Sequence, residues 1–262
     1  MKSGKCFVFI GALTFVFSNS AQAQLDEADV ILSLNSGQQI TTNSVDSAGV
    51  LHAGRVFGGA FIPFFTNEPG FDSEEGVFPP LSEIGFRIRA ALRSWDGATF
   101  NTICAERISI RSGPLGPVLT PLNDSIVSGF SLAVNSFGKF HHHPGCLLLS
   151  GSPIPEPDHG VYLYEADLFS NVPTINPSRP FWVVYNFGRP DAEHAAAMEW
   201  VYRRKVCPAD FNLDRIVDFF DYLDFVSAFS TSLPASDVND DSVVDFFDYL
   251  DFVAAFSLGC NN

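Results

Sequence analysis

Near its C-terminal end the chain carries the same acidic segment twice, DFNLDRIVDFFDYLDFVSAFS at 210–230 and DVNDDSVVDFFDYLDFVAAFS at 237–257. The 21-residue copies agree at 16 positions and are offset by 27 residues. Whatever local structure one copy forms, the other forms beside it, so the segment predicts a small module with two-fold pseudo-symmetry.

Each copy opens with D-x-N-x-D and carries carboxylates again at its ninth and twelfth positions. The first offers Asp210, Asn212, Asp214, the backbone carbonyl of Ile216, Asp218 and Asp221. The second offers Asp237, Asn239, Asp241, the carbonyl of Val243, Asp245 and Asp248. This is the ligand spacing of a twelve-residue calcium loop, in which a hard cation takes six to eight oxygens wrapped around one centre. A merely solvated acidic tail is the alternative, but such tails lack the apolar FFDYLDFV that follows both loops.

Two loops with the 1-3-5-9-12 pattern, each running into one helix and each with Asp rather than Glu at position twelve, resemble the dockerin domain of secreted bacterial proteins. The CPADFN start at Cys207 and the LGC ending at Cys260 are similar, more narrowly, to dockerin-type anchoring modules that finish in Gly-Cys. The resemblance covers about a fifth of the chain. It implies two calcium ions, a compact helical module and docking to a cohesin-like protein or another cell-envelope receptor. Phe219-Phe220 and Phe246-Phe247 stand where each helix begins, the neighbourhood that contacts cohesin in that family. The helices are apolar around most of their circumference, more than a small two-helix module can bury, so these phenylalanines are the expected partner-binding residues. Near-identical copies would let a partner bind in either of two orientations. One departure is that Arg215 and Ser242 occupy loop position six, where glycine normally makes the turn. The expected affinity is that of extracellular modules, about 10⁻⁴ to 10⁻³ M, unequal between the loops.

The chain begins with Lys2 and Lys5, the apolar run CFVFIGALTFVF and then Ala21-Gln22-Ala23. That order reads as an export signal over 1–23 rather than a membrane span, and no later stretch approaches the ~20 apolar residues of a spanning helix. A secreted, extracellular or surface-attached location follows. Without Lys2 and Lys5 the formal charge moves from −15 to −17, and residues 207–262, with eleven Asp against Arg215, hold −10 of it. Such a surface repels phosphate, which excludes a nucleic-acid partner.

Beyond Cys6 in the export signal the cysteines are Cys104, Cys146, Cys207 and Cys260. In an exported protein an even number favours disulfides, and four cysteines permit three pairings. Cys207 and Cys260 bracket the repeat, and a two-fold module brings its ends together, so we expect a Cys207–Cys260 clasp and, by default, Cys104–Cys146. Zinc is the competing use, but no CxxC pair is present.

Residues 24–205 read as one β domain. Ile84–Leu92 alternates apolar and polar positions, and similar runs occur at 29–34, 50–57, 106–111, 129–134, 146–150, 161–168 and 181–187. GPLGP at 113–117 and SPIPEP at 152–157 read as turns. The expected class is mainly β, an antiparallel sandwich of jelly-roll type over 24–205 followed by an all-α calcium module over 206–262. A helix from Pro190 to Lys205 closes the domain, its acidic start and basic end matching the helix dipole. Segments 66–73, 82–88 and 180–188 resemble exported bacterial domains that carry a sorting signal in place of a dockerin, a likeness with no assigned activity.

Chemistry is harder to find there. His141, His142 and His143 are consecutive, and neighbours in extended chain face opposite ways, so the triplet cannot easily supply three ligands to one metal; we read it as a polar loop. Paired carboxylates for glycoside hydrolysis (Glu74, Glu75, Glu156, Asp158, Asp167) cannot be placed across a cleft from sequence, and no nucleophile elbow, phosphate loop or HExxH helix occurs. The resulting expectation is a secreted, non-enzymatic protein anchored by its tail. The alternative is a polysaccharide-binding or polysaccharide-degrading domain on the same anchor, with Trp95 as the exposed stacking residue and Trp182 in the core.

Overall fold

The computed structural model describes residues 29–45, 51–152, 156–214, 216–239 and 243–260. Residues 1–28, where an export signal is expected, and the loop residues Arg215, Asp241 and Ser242 lie outside that set.

Three sheets make up the β region. The largest runs β12 (Val127–Ala133), β7 (Glu83–Ile88), β15 (Gly160–Ser170), β16 (Phe181–Phe187) and β4 (Val56–Ala60), with β8 (Arg93–Ser94) and β9 (Thr102–Ile103) attached beside β15. A five-stranded sheet has the order β13 (His141–His142), β6 (Phe71–Ser73), β1 (Val30–Leu34), β2 (Ile40–Val45) and β3 (Leu51–Ala53). The third is β11 (Leu115–Leu119), β10 (Arg107–Ser112), β14 (Gly145–Leu149) and β5 (Phe65–Thr66).

The chain is mainly β, as expected, but not purely antiparallel. β1 pairs with β6, and β16 with β4, in parallel. These partners are joined by long connections, and the hairpin rule that makes sequence neighbours antiparallel does not govern them.

The strands β15 and β16 are buried on both faces. Tyr162, Tyr164, Ala166 and Leu168, with Phe181, Val183, Tyr185 and Phe187, point into the main core, to which all three sheets contribute. Val161, Leu163, Trp182 and Val184 point the other way. There they meet Ala197, Met198 and Val201 of the helix α1 (Asp191–Val201). Period-two alternation between two apolar environments makes both strands read as continuous hydrophobic runs.

Two local expectations need correction. The strand begun at Ile84 ends at Ile88 rather than Leu92. GPLGP is not wholly a turn, because Leu115–Leu119 is a strand. Pro117 is tolerated because β11 lies on a sheet edge and its register on β10 shifts between Ile110 and Ser112. At that shift Gly116 has φ +90° and a Cβ would meet the Ile110 carbonyl at 2.7 Å, so glycine is required there.

α1 starts at Pro190, as its N-cap, and continues into a π-helical turn over Tyr202–Val206 that ends at Cys207. Val206, Cys207 and Ala209 are buried in the second core, against which Ala255, Phe256 and Cys260 also pack. The C-terminal segment therefore joins the β region without a free linker.

Candidate functional site

Each copy of the repeat forms a loop followed by a helix, α2 (Phe219–Ser230) and α3 (Phe246–Leu258). The helices start where they do because Asp218 and Asp245 cap them. The Asp218 carboxylate accepts from Phe220 N at 2.8 Å, and Asp245 from Phe247 N at 2.8 Å. Reciprocally, Asp221 Oδ2 accepts from Asp218 N at 2.9 Å and Asp248 Oδ2 from Asp245 N at 2.8 Å. These are capping boxes with Asp in the third helical position.

The twelfth-position carboxylate also holds the loop's beginning. Asp221 Oδ1 accepts from Phe211 N at 2.7 Å and Asn212 N at 3.1 Å. Asp248 Oδ1 accepts from Val238 N at 2.7 Å and Asn239 N at 3.2 Å. One fully buried carboxylate thus ties three backbone amides in each copy, in the same register. In the first loop Asn212 Oδ1 accepts from Asp214 N at 3.0 Å and Asp214 Oδ1 from Ile216 N at 2.8 Å. Asp210, fully buried, accepts from the Tyr202 hydroxyl at 3.1 Å. Leu213, at position four, takes the left-handed conformation with φ +66°.

The structure therefore brings Asp210 and Asn212 to the same loop end as Asp221, and Asp237 and Asn239 to that of Asp248. The donors are hard oxygens, and by sequence the first loop has four carboxylates within twelve residues and one basic residue, Arg215. That donor set fits calcium by chemistry: Oδ2 of Asp221 and of Asp248 accepts one amide and keeps a second lone pair, while Oδ1 of each accepts two.

Across the module the copies meet on a pseudo-two-fold axis. Phe225 and Phe252, at the same repeat position and both fully buried, stack with centroids 3.9 Å apart and planes 6° from parallel. Around them symmetry mates repeat each other: Phe225–Phe229 at 5.6 Å and Phe252–Phe256 at 5.8 Å, Phe229–Tyr249 at 6.0 Å and Tyr222–Phe256 at 6.3 Å.

The exposed side repeats as well. Phe219 and Phe246 are 64% and 63% exposed, Phe220 and Phe247 both 64%, and Leu223 and Leu250 both 45%. Leu223 lies four and three residues after Phe219 and Phe220, so each copy presents one continuous apolar patch at its helix start.

Cys207 and Cys260 form a disulfide with Cα atoms 5.1 Å apart, closing the module. The default pairing of Cys104 with Cys146 is wrong, for both are free thiols. Each serves its own surroundings: Cys104 Sγ donates to the carbonyls of Leu92 and Glu106, and Cys146 Sγ to Pro144 O while accepting from Tyr185 Oη. Burial, with the Glu106 charge adding, pushes the Cys104 thiol up to about 12, and burial pushes Cys146 to about 11. Neither is a reactive nucleophile near neutral pH.

In the β region Trp182 is in the core, and Trp95 packs against Phe100 at 5.0 Å and Trp200 at 6.0 Å, leaving its ring partly exposed. Asp167 is buried and bound by Arg87 Nε at 2.7 Å and an Arg89 guanidinium nitrogen at 2.6 Å. The histidine triplet is not a loop, since His141–His142 forms the strand β13. Sequence reasoning missed the carboxylates that surround it, Asp29, Glu68 and Asp72, which are far away along the chain and carry no local signal. Among the described residues no helix is long and apolar enough to cross a membrane. No family model matches the chain, and no curated protein matches it.

Proposed function

We propose that this is an exported protein whose C-terminal dockerin-like module binds two calcium ions and attaches it to a cohesin-like receptor or to the cell surface. The β region, read as a sandwich of jelly-roll type, is the non-enzymatic cargo of that anchor. The observation that carries the reading is the duplicated carboxylate arrangement, in which Asp221 and Asp248 each fix their loop by three amide bonds in identical register. The first ion would be held by Asp210, Asn212, Asp214, the Ile216 carbonyl, Asp218 and Asp221. The second would be held by Asp237, Asn239, Asp241, the Val243 carbonyl, Asp245 and Asp248. Calcium there neutralises clustered carboxylates and fixes the helix starts, which orients Phe219, Phe220, Phe246 and Phe247 toward a partner.

Calorimetry on the full chain tests this directly. Two calcium sites with dissociation constants of about 10⁻⁴ to 10⁻³ M are expected, together with loss of helical circular dichroism on chelation. A chelator-insensitive spectrum with no calcium heat overturns the reading. Retention of an envelope receptor only in calcium, and its loss in a Phe220→Ser/Phe247→Ser variant, tests the docking half.

A further inference from the structure

The strand β13 pairs antiparallel with β6, His141 opposite Asp72 and His142 opposite Phe71. Alternation along the extended chain sends His142 one way, where its Nε2 meets the Ala133 carbonyl at 2.9 Å. His141 and His143 go the other way, ring centroids 5.0 Å apart. β6 also pairs in parallel with β1, and Val30 N donates to Gly70 O at 2.9 Å, which brings Asp29 to the same spot. Asp29, His141 and His143 each supply one ligand atom, all within 4.8 Å of one another.

A carboxylate stands beside Nδ1 of each ring. His143 Nδ1 is sealed from solvent and makes no hydrogen bond, with Glu68 Oε1 3.2 Å away, while its Nε2 lies 3.5 Å from Asp29 Oδ2. His141 Nδ1 lies 3.3 Å from Asp72 Oδ1. The carboxylates are themselves held, Glu68 Oε2 by Gly70 N at 3.0 Å and Asp72 Oδ1 by Ser73 N at 2.8 Å. A metal on Nε2 would leave the proton of each ring on Nδ1, the side on which Asp72 and Glu68 stand, and that is how metal-binding histidines are normally held. Gly70 completes the cradle, for a Cβ there would collide with the His143 ring and lie 2.7 Å from Asp29 Oδ1. Charge favours a cation too: the cluster has three carboxylates, Asp29, Glu68 and Asp72, and one of them is paired with Lys139, whose Nζ is 3.0 Å from Asp72.

We infer that Asp29, His141 and His143 bind one divalent transition-metal ion through two imidazole Nε2 atoms and one carboxylate oxygen, with a coordination position left open. Two nitrogens and one oxygen suit zinc or a similar ion and not calcium, which takes oxygens alone, so this site is chemically separate from the C-terminal loops. With bonds of ~2.1 Å a tetrahedral shell places ligand atoms roughly 3.4 Å apart, so side-chain rotation closes the group.

The test uses the full chain, stripped by chelator and kept in saturating calcium, then titrated with zinc by calorimetry and with cobalt by visible absorption. One zinc per chain is expected. His141→Gln and His143→Gln should each weaken it at least ~10-fold and together abolish it, while Glu68→Gln and Asp72→Asn weaken it ~10- to 100-fold by releasing the rings. His142→Gln, on the opposite side, should leave affinity unchanged. His141 is half exposed, so its variant will fold, and near-ultraviolet circular dichroism checks this. Absence of zinc uptake, retention of one zinc in the double variant, or equal weakening by His142→Gln and His141→Gln would each overturn the assignment.

Discussion

The two copies of the repeat differ at five aligned pairs of positions, 211/238, 213/240, 215/242, 216/243 and 227/254. The first of these changes the packing most. Phe211 sets its ring edge-on against both central phenylalanines, 5.6 Å from Phe225 and 6.1 Å from Phe252. The Arg203 guanidinium lies 4.9 Å over its face and donates to its carbonyl at 2.6 Å. Val238, its counterpart, packs only partly buried against the same core. Asp210 is likewise tied to Tyr202, just beyond α1, and is fully buried where Asp237 is 8% exposed. The repeated positions are those that make each copy complete in itself: cap, position twelve, central ring and exposed patch. The unrepeated Phe211 adds a fastening to Arg203 that the second copy lacks at Val238, while the second copy's end reaches the β region through Ala255, Phe256 and Cys260.

If that contrast is right, cutting the clasp should loosen the second copy first. Cys207→Ser/Cys260→Ser frees a loop with a sequence separation of 53, worth about 4 kcal/mol in denaturant unfolding. Hydrogen exchange should then quicken in α3 before α2; equal exchange in both would break the comparison. Next in size, Phe211→Ala should cost about 3 kcal/mol and Val238→Ala about 1 kcal/mol, since a buried ring is lost in one case and a partly buried methyl pair in the other. Asp221→Ala and Asp248→Ala should each cost about 2 kcal/mol, and equally, because each strands three amides of the same kind; urea unfolding at 222 nm measures this. Phe220→Ser and Phe247→Ser should move stability by less than about 0.5 kcal/mol, as these side chains are mostly in water. A larger loss would mean that the patch is core and not free surface.

What could be read in the sequence was local. The 1-3-5-9-12 oxygens, the helix starts at Asp218 and Asp245 and the exposure of the Phe pairs all fall within twelve consecutive residues of a repeated pattern. Phe181–Phe187 was legible at both ends because Pro180 and Gly188 frame it. The Cys104–Cys146 expectation failed because it counted cysteines without any geometry for their side chains. The parallel strand pairs and the Asp29, Glu68, Asp72 and His143 cluster were illegible for one reason. Both depend on the register of strands far apart in sequence, β4 with β16 in one sheet and β1, β6 and β13 in another, which long connections bring together and no spacing along the chain records.

The stack of Phe225 on Phe252 carries one more consequence. A side chain that packs on its own repeat mate is a self-complementary surface, the kind that closes a two-fold dimer of identical units. Joining the units through residues 231–236 replaces an association that would depend on protein concentration with a fixed effective concentration inside one chain. The tandem arrangement therefore makes a bimolecular encounter into a unimolecular folding step, and the module stays assembled however dilute the protein becomes.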